Sequence, residues 1–121
     1  MSAREHSIIP GTVDLLILRT LQDGALHGFA VSRTLRSRSG GVVVLQDGAL
    51  YQALHRMERE GWIEAEWGLS EKGKRAKFYQ LTTSGRRQLE SETSRWRAYV
   101  EAVARVLAPT RAPVAEAAGE G

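Results

Sequence analysis

Leu50, Leu54 and Met57 recur at intervals of four and three residues, the spacing that keeps apolar side chains on one face of a helix. They predict a helix from Asp47 to Glu60, ended by Gly61, with Gly48, Gln52, His55, Arg56 and Arg59 on the opposite face and Tyr51 on its flank. Beyond it, Trp62–Trp67 alternates roughly as a strand, Gly68–Arg75 reads as a turn, and Ala76–Leu81 returns through Phe78, Tyr79 and Leu81. Together these segments predict a long two-stranded hairpin. Upstream, Pro10-Gly11 precedes a periodic segment, Thr12–Asp23, with Thr12 as its expected cap and Asp14 in its first turn. Val13, Leu15, Leu16, Leu18 and Leu21 make that helix apolar around much of its circumference, so it should be buried on more than one side. Gly24 and Gly28 bracket a short turn, and Gly28–Ser37 reads as a second helix with Phe29, Val31 and Leu35 inward and Arg33, Arg36 and Arg38 outward. Gly40-Gly41 ends it, and Val42–Leu45 is a short extended link.

A last helix, capped by Thr82 or Thr83, can run to Leu107, where Ala108-Pro109 stops it. Leu89, Thr93, Trp96, Val100, Val103 and Leu107 fall on strict a/d spacing along it, with Tyr99 and Val106 on the adjacent stripe. At ~1.5 Å per residue such a helix is ~37 Å long, more than a small domain covers. Its apolar seam asks for a partner, most simply the same helix of a second copy, with Leu15 of the over-apolar first helix alongside. The expected organisation is α+β but mostly α: a helix-and-hairpin domain over residues 1–81, ordered from about residue 8, a dimerisation helix over 82–108 and a disordered tail over 109–121.

Charge sharpens this picture. The chain's lysines, Lys72, Lys74 and Lys77, stand with Arg75 in one stretch at the hairpin tip. From Lys72 to Arg87 no carboxylate interrupts the cations, although the net charge of the whole chain is only +3. A helix with a polar outer face followed by a hairpin with a cationic tip is the layout of a winged helix-turn-helix, which grips DNA in adjacent grooves. Gly48, Ala49, Gln52, His55 and Arg59 give the helix hydrogen-bonding groups and little bulk near its N-terminus. Gln52 suits an adenine edge, His55 a guanine acceptor or a phosphate, and the Tyr51 hydroxyl a phosphate. A merely solvated polar face would look similar. The hairpin tip shifts the balance, because Lys72, Lys74, Arg75 and Lys77 repel one another by roughly tenths of a kcal/mol per pair unless a polyanion is near.

Composition bounds the alternatives. With 121 residues, 42% of them hydrophobic, the chain can build one modest core. A pI near 9.7 permits nucleic acid or an anionic surface as partner. No cysteine is present and no run approaches the ~18 apolar residues of a membrane span, so cytoplasmic residence without membrane contact is expected. His6, His27 and His55 stand in no metal-ligand spacing, and His27 reads as a capping or packing histidine. Glu58, Glu60, Glu64 and Glu66 flank exposed faces without a partner, and Gly40-Gly41 is a turn rather than a nucleotide loop. No enzymatic activity, metal or cofactor is expected.

The run Gly48-Ala-Leu-Tyr-Gln-Ala-Leu-His-Arg-Met-Glu-Arg-Glu-Gly61, then Glu66-Trp-Gly, then Arg75-Ala-Lys-Phe-Tyr-Gln-Leu-Thr82 with Gly85, resembles the PadR-like winged-helix transcriptional regulators, as does the upstream Leu26-His-Gly-Phe29. The resemblance covers roughly residues 10–107. It implies a homodimeric repressor whose C-terminal helix dimerises, whose third helix reads a palindromic operator on double-stranded DNA and whose wing lies in or beside the minor groove. Leu50 and Tyr51 fall on the family's Leu-Tyr motif, and Lys74, Arg75 and Lys77 on the basic wing motif, joined by the neighbouring Lys72. Gln52 departs from the proline or threonine of many relatives, which leaves the operator sequence open. Some relatives bind planar aromatic drugs at the dimer interface. Trp96 lies at the corresponding part of the last helix, where an aromatic effector site and simple dimer packing are both readings. An adaptor that uses the fold for protein partners without DNA is the remaining alternative.

Overall fold

A computed structural model describes residues 11–110. The expectations of a loose start and a disordered tail concern residues outside this range, apart from 109–110, which are exposed and irregular. The elements run α1 (Val13–Leu21), β1 (Leu26–His27), α2 (Gly28–Arg38), α3 (Asp47–Arg59), β2 (Ile63–Leu69), β3 (Arg75–Leu81) and α4 (Thr83–Leu107). Among the described residues four helices accompany a three-stranded antiparallel sheet in the order β1-β3-β2. This is a winged helix with a long C-terminal helix.

Ile17, Leu18 and Leu21 of α1, Val31 and Leu35 of α2, Leu50, Leu54 and Met57 of α3, and Ile63, Tyr79 and Leu81 of the sheet form one core. The stripe that predicted α3 is therefore the stripe it buries. Truncating one of these side chains to alanine costs about 2–5 kcal/mol in a close-packed interior. Asp14 in the first turn of α1 accepts two hydrogen bonds from Arg56 of α3, both 2.8 Å. That bidentate pair holds the Arg56 guanidinium pKa above its ordinary value, the Asp14 hydrogen bond being the main cause. Arg56 thus fastens α3 to α1 instead of standing on the outer face.

Three other expectations change. Thr12 occupies the N-cap position of α1, but its side chain makes no cap hydrogen bond there. Phe29 points outward and is exposed. Val31 and Leu35 set the buried stripe of α2, and a residue two places before Val31 lies about 200° round the helix from it. Leu89, expected on an intermolecular seam, is 4% exposed and completes the core of its own chain.

The hairpin is longer than its pattern suggested. Leu69 pairs with Arg75, which leaves Ser70–Lys74 as the loop. The Ser70 hydroxyl accepts from the backbone N–H groups of Lys72 and Lys74, and Gly73 supplies the left-handed turn residue at φ 74°. β1 is two residues long, and nothing in the local pattern predicts it. It exists because Leu26 and His27 pair with Tyr79 and Phe78 across more than fifty residues of chain.

Thr82 caps α4 by accepting from the Gly85 N–H at 3.0 Å, while its own N–H donates to the Trp62 carbonyl. A Cβ on Gly85 would be driven into that carbonyl. The start of α4 is thereby docked on the sheet. Beyond Leu89 no residue of α4 is buried.

Candidate nucleic-acid interface

Gly48, Gln52, His55 and Arg59 stand four, three and four residues apart on α3 and are all exposed, as is Ala49. The spacing lines them up opposite the Leu50–Leu54–Met57 stripe, so core packing orients the outer row. Tyr51, on the flank, lies over the N-terminus of α2: its ring and hydroxyl occupy the space a side chain on Gly28 would need. The glycine of the Leu26-His-Gly-Phe29 segment is there to admit the Tyr51 ring.

The wing brings its cations to the same side. Cross-strand pairing puts Trp67 opposite Lys77 and Leu69 opposite Arg75, on the sheet face shared with Tyr79. Arg75 stacks on the Trp67 ring at 4.5 Å, and Lys77 lies 5.7 Å from the Tyr79 ring centroid with its Nζ 3.5 Å from Glu58 of α3. Lys72 and Lys74 are exposed at the tip. Of the cations expected to meet DNA from the wing, Lys72, Lys74 and Arg75 are presented outward, whereas Lys77 braces the wing against α3. Burial, with Glu58 adding to it, pushes the Tyr79 hydroxyl pKa up from its ordinary value.

A network that the spacing of residues along the chain does not reveal ties the wing tip to α2. His27 is the N-cap of α2, and its Nδ1 accepts from the Ala30 N–H at 3.1 Å. In the neutral ring the proton then sits on Nε2, which lies 3.5 Å from Glu71 Oε1. Arg33 reaches the other oxygen of Glu71 at 3.4 Å and also lies over the Phe29 ring at 5.0 Å. Phe78 packs edge-on against His27. The Glu71 carboxyl pKa is lowered, first by its own backbone N–H and then by His27 and Arg33. Glu71 precedes the lysine cluster directly, which is the one available signal, but its partners are 38 and 44 residues away.

Elsewhere, Leu15, Trp96 and Tyr99 line an open groove of about 680 Å³ between α1 and α4. The Trp96 and Tyr99 rings are 6.4 Å apart. Val100 and Leu107 are exposed and Val103 is half-buried. Among the described residues no group of His, Cys, Asp and Glu side chains could hold a metal ion, and no helix is long and apolar enough to cross a membrane.

Residues 17–91 match the family model described as the transcriptional regulator PadR-like family. The chain belongs to the PadR-like family of transcriptional regulators. A PadR family transcription regulator from Clostridium difficile R20291 is 30% identical, with a TM-score of 0.71 over 81% of this chain and 100% of that one. An uncharacterised protein of Lysinibacillus sphaericus is 28% identical over 89 residues, 74% of this chain and 82% of that protein. The Bacillus subtilis PadR solved in complex with operator DNA shares the fold at TM-score 0.60 and 23% identity, the match covering 67% of this chain and 46% of that one. The family match encloses α2, α3 and the whole wing, so the PadR-like relationship rests on the elements that carry the outer row and the cationic tip.

Proposed function

We propose that this PadR-like regulator binds double-stranded operator DNA as a homodimer and represses transcription, acting in the cytoplasm and without enzymatic activity. The observation that carries the reading is the placement of the exposed row Gly48–Gln52–His55–Arg59 beside the outward Lys72, Lys74 and Arg75 of the wing. In this arrangement α3 enters the major groove with Gln52 and His55 at base edges, while Tyr51 and the wing cations engage phosphates and the adjacent minor groove. The Bacillus subtilis relative held on operator DNA supports the same use of the fold.

Dimerisation is supported by the unburied apolar side chains of the outer half of α4, Trp96, Tyr99, Val100, Val103 and Leu107, together with Leu15 across the groove. Two reading helices spaced ~34–36 Å apart by the dimer would meet successive major-groove faces of a palindrome. A second reading, an aromatic small molecule acting at the dimer seam, is favoured by the Trp96–Tyr99 pair in that groove. It is tested by the emission of Trp96 in a variant with Trp62 and Trp67 changed to phenylalanine. A change on adding planar aromatics is the expected result.

DNA binding itself is tested by titrating salt against a labelled random duplex. Each phosphate neutralised contributes ~0.9 to the log–log slope. A steep slope is expected from the wing cations of two protomers. A flat titration would assign the surface to protein partners.

A further inference from the structure

The guanidinium of Arg56 sits where three helices meet. Asp14 of α1 accepts both of its hydrogen bonds at 2.8 Å, and Glu60 beside α3 and Glu92 of α4 add weaker attraction. The Asp14 and Glu92 side chains keep only 19% and 11% of their full exposure. Glu92 is itself held in place by Gln88, which donates to it at 2.8 Å. Leu15, next to Asp14 in the chain, and Glu92 both line the groove that carries Trp96 and Tyr99. The groove side of α1 and α4 is thereby joined to α3 through a directional contact. Apolar packing of Leu50, Leu54 and Met57 holds α3 on the core, but such packing is non-directional and leaves tilt weakly fixed. A guanidinium fork on a carboxylate fixes the orientation of both partners. Gly48 lies eight residues before Arg56, or ~12 Å along the helix axis, so a tilt of ~10° about Arg56 moves it by ~2 Å. Hydrogen bonds to base edges tolerate only a few tenths of an ångström.

We infer that Asp14 and Arg56 are positioning residues for DNA reading: their pair sets the angle of α3 to α1 and α4 without either side chain touching DNA. In the dimer proposed above, that angle fixes how far apart the two reading helices stand, so the pair governs the half-site spacing the protein accepts. This consequence rests on the DNA-binding reading above, whereas the angle itself is a property of the chain alone.

The angle is tested without DNA by spin labels on Gln52→Cys of α3 and Glu90→Cys of α4, diluted in excess unlabelled protein so that distances within one chain are read. The parent should give a narrow distribution, and Asp14→Asn and Arg56→Met should each broaden it or displace it by about 2 Å. Arg56→Lys, which keeps a charge for Asp14 but loses the fork, should shift it in the same sense and serves if Arg56→Met does not fold. Spacing is tested with a duplex that the wild type selects from a randomised pool, and with the same duplex carrying one base pair inserted at its centre. The wild type should lose at least about tenfold on insertion and each variant about threefold or less, because only a fixed angle enforces one spacing. Were Arg56 itself a phosphate contact, Asp14→Asn would free it and tighten every duplex while Arg56→Met weakened them. Opposite effects of that kind, unchanged distances, or changed distances with unaltered spacing discrimination would overturn the assignment. A wild type that bound no duplex would instead refute the DNA-binding reading, and the distances would still decide whether the pair sets the angle.

Discussion

The face formed by α3 and the wing and the outer half of α4 are both exposed, yet their side chains are provided for in opposite ways. On the first face many polar and aromatic groups have a partner within the chain: Lys77 on Glu58, Arg75 on Trp67, Arg33 and His27 on Glu71. On the second, Tyr99, Val100, Val106 and Leu107 stand in solvent with no residue beyond Leu89 buried. A surface braced by such pairs keeps its shape, and its exposed cations Lys72, Lys74 and Arg75 suit the polyanionic partner proposed above. Exposed apolar side chains such as Val100 and Leu107, which share one stripe of the helix, gain nothing from water and gain most from an apolar partner. The contrast supports the roles proposed above, nucleic acid as partner of the one region and a second copy of the chain as partner of the other.

The most severe way to break this contrast is to charge the apolar region. Val103→Asp should shift the protein from dimer to monomer in light scattering at micromolar concentration, by about 3 kcal/mol or more, since it places an unpaired charge in the interface. A wild type that was already monomeric under those conditions would remove α4 from the comparison. On the other region, changing Lys74, Arg75 and Lys77 together to alanine should weaken all duplexes about equally and flatten the salt slope by ~0.9 for each phosphate no longer neutralised. Because Lys77 is held by Glu58, restoring it alone should recover less of the slope than restoring Lys74.

Much of the fold is legible in the sequence, and the departures share a cause. The periodicity of Leu50, Leu54 and Met57 locates α3 because a buried stripe is a local property of the chain. The lysine cluster and Gly73 mark the wing tip for the same reason. Leu89 falls on the expected seam because a heptad pattern continues smoothly across the point where α4 leaves its own domain, and only the packing of α4 against the domain shows where that point is. Arg56 and Lys77 look like free cations in the sequence because Asp14 and Glu58 meet them through the fold, 42 and 19 residues away along the chain. β1 and the Glu71 bridge likewise arise from long-range pairing, which spacing along the chain does not encode.

A finer perturbation distinguishes base reading from charge on the α3 face. Gln52→Ala should relax discrimination at one base position by ~1–3 kcal/mol and leave the salt slope nearly unchanged. If it lowered affinity for every duplex alike, Gln52 would be a backbone contact. The smallest effect concerns the wing tip and pH. The folded-state pKa of Glu71 is lowered, so its contribution is present above the ordinary carboxylate value of 4.5 and is lost as pH falls through the lower folded value. The protection of the Glu71 and Lys72 amides, taken relative to their intrinsic exchange at each pH, should therefore fall only below that ordinary value, and Glu71→Gln should lower it already at neutral pH.

Because the chain contains no cysteine, single thiols can report on the two regions directly. The decisive measurement is the alkylation rate of Gln52→Cys and Val100→Cys variants, each with and without duplex carrying the operator. The thiol at position 52 should be slowed by DNA, and the thiol at position 100 should be slowed by raising protein concentration and be indifferent to DNA. Protection by DNA at position 100 with none at position 52 would contradict the assignment of both regions.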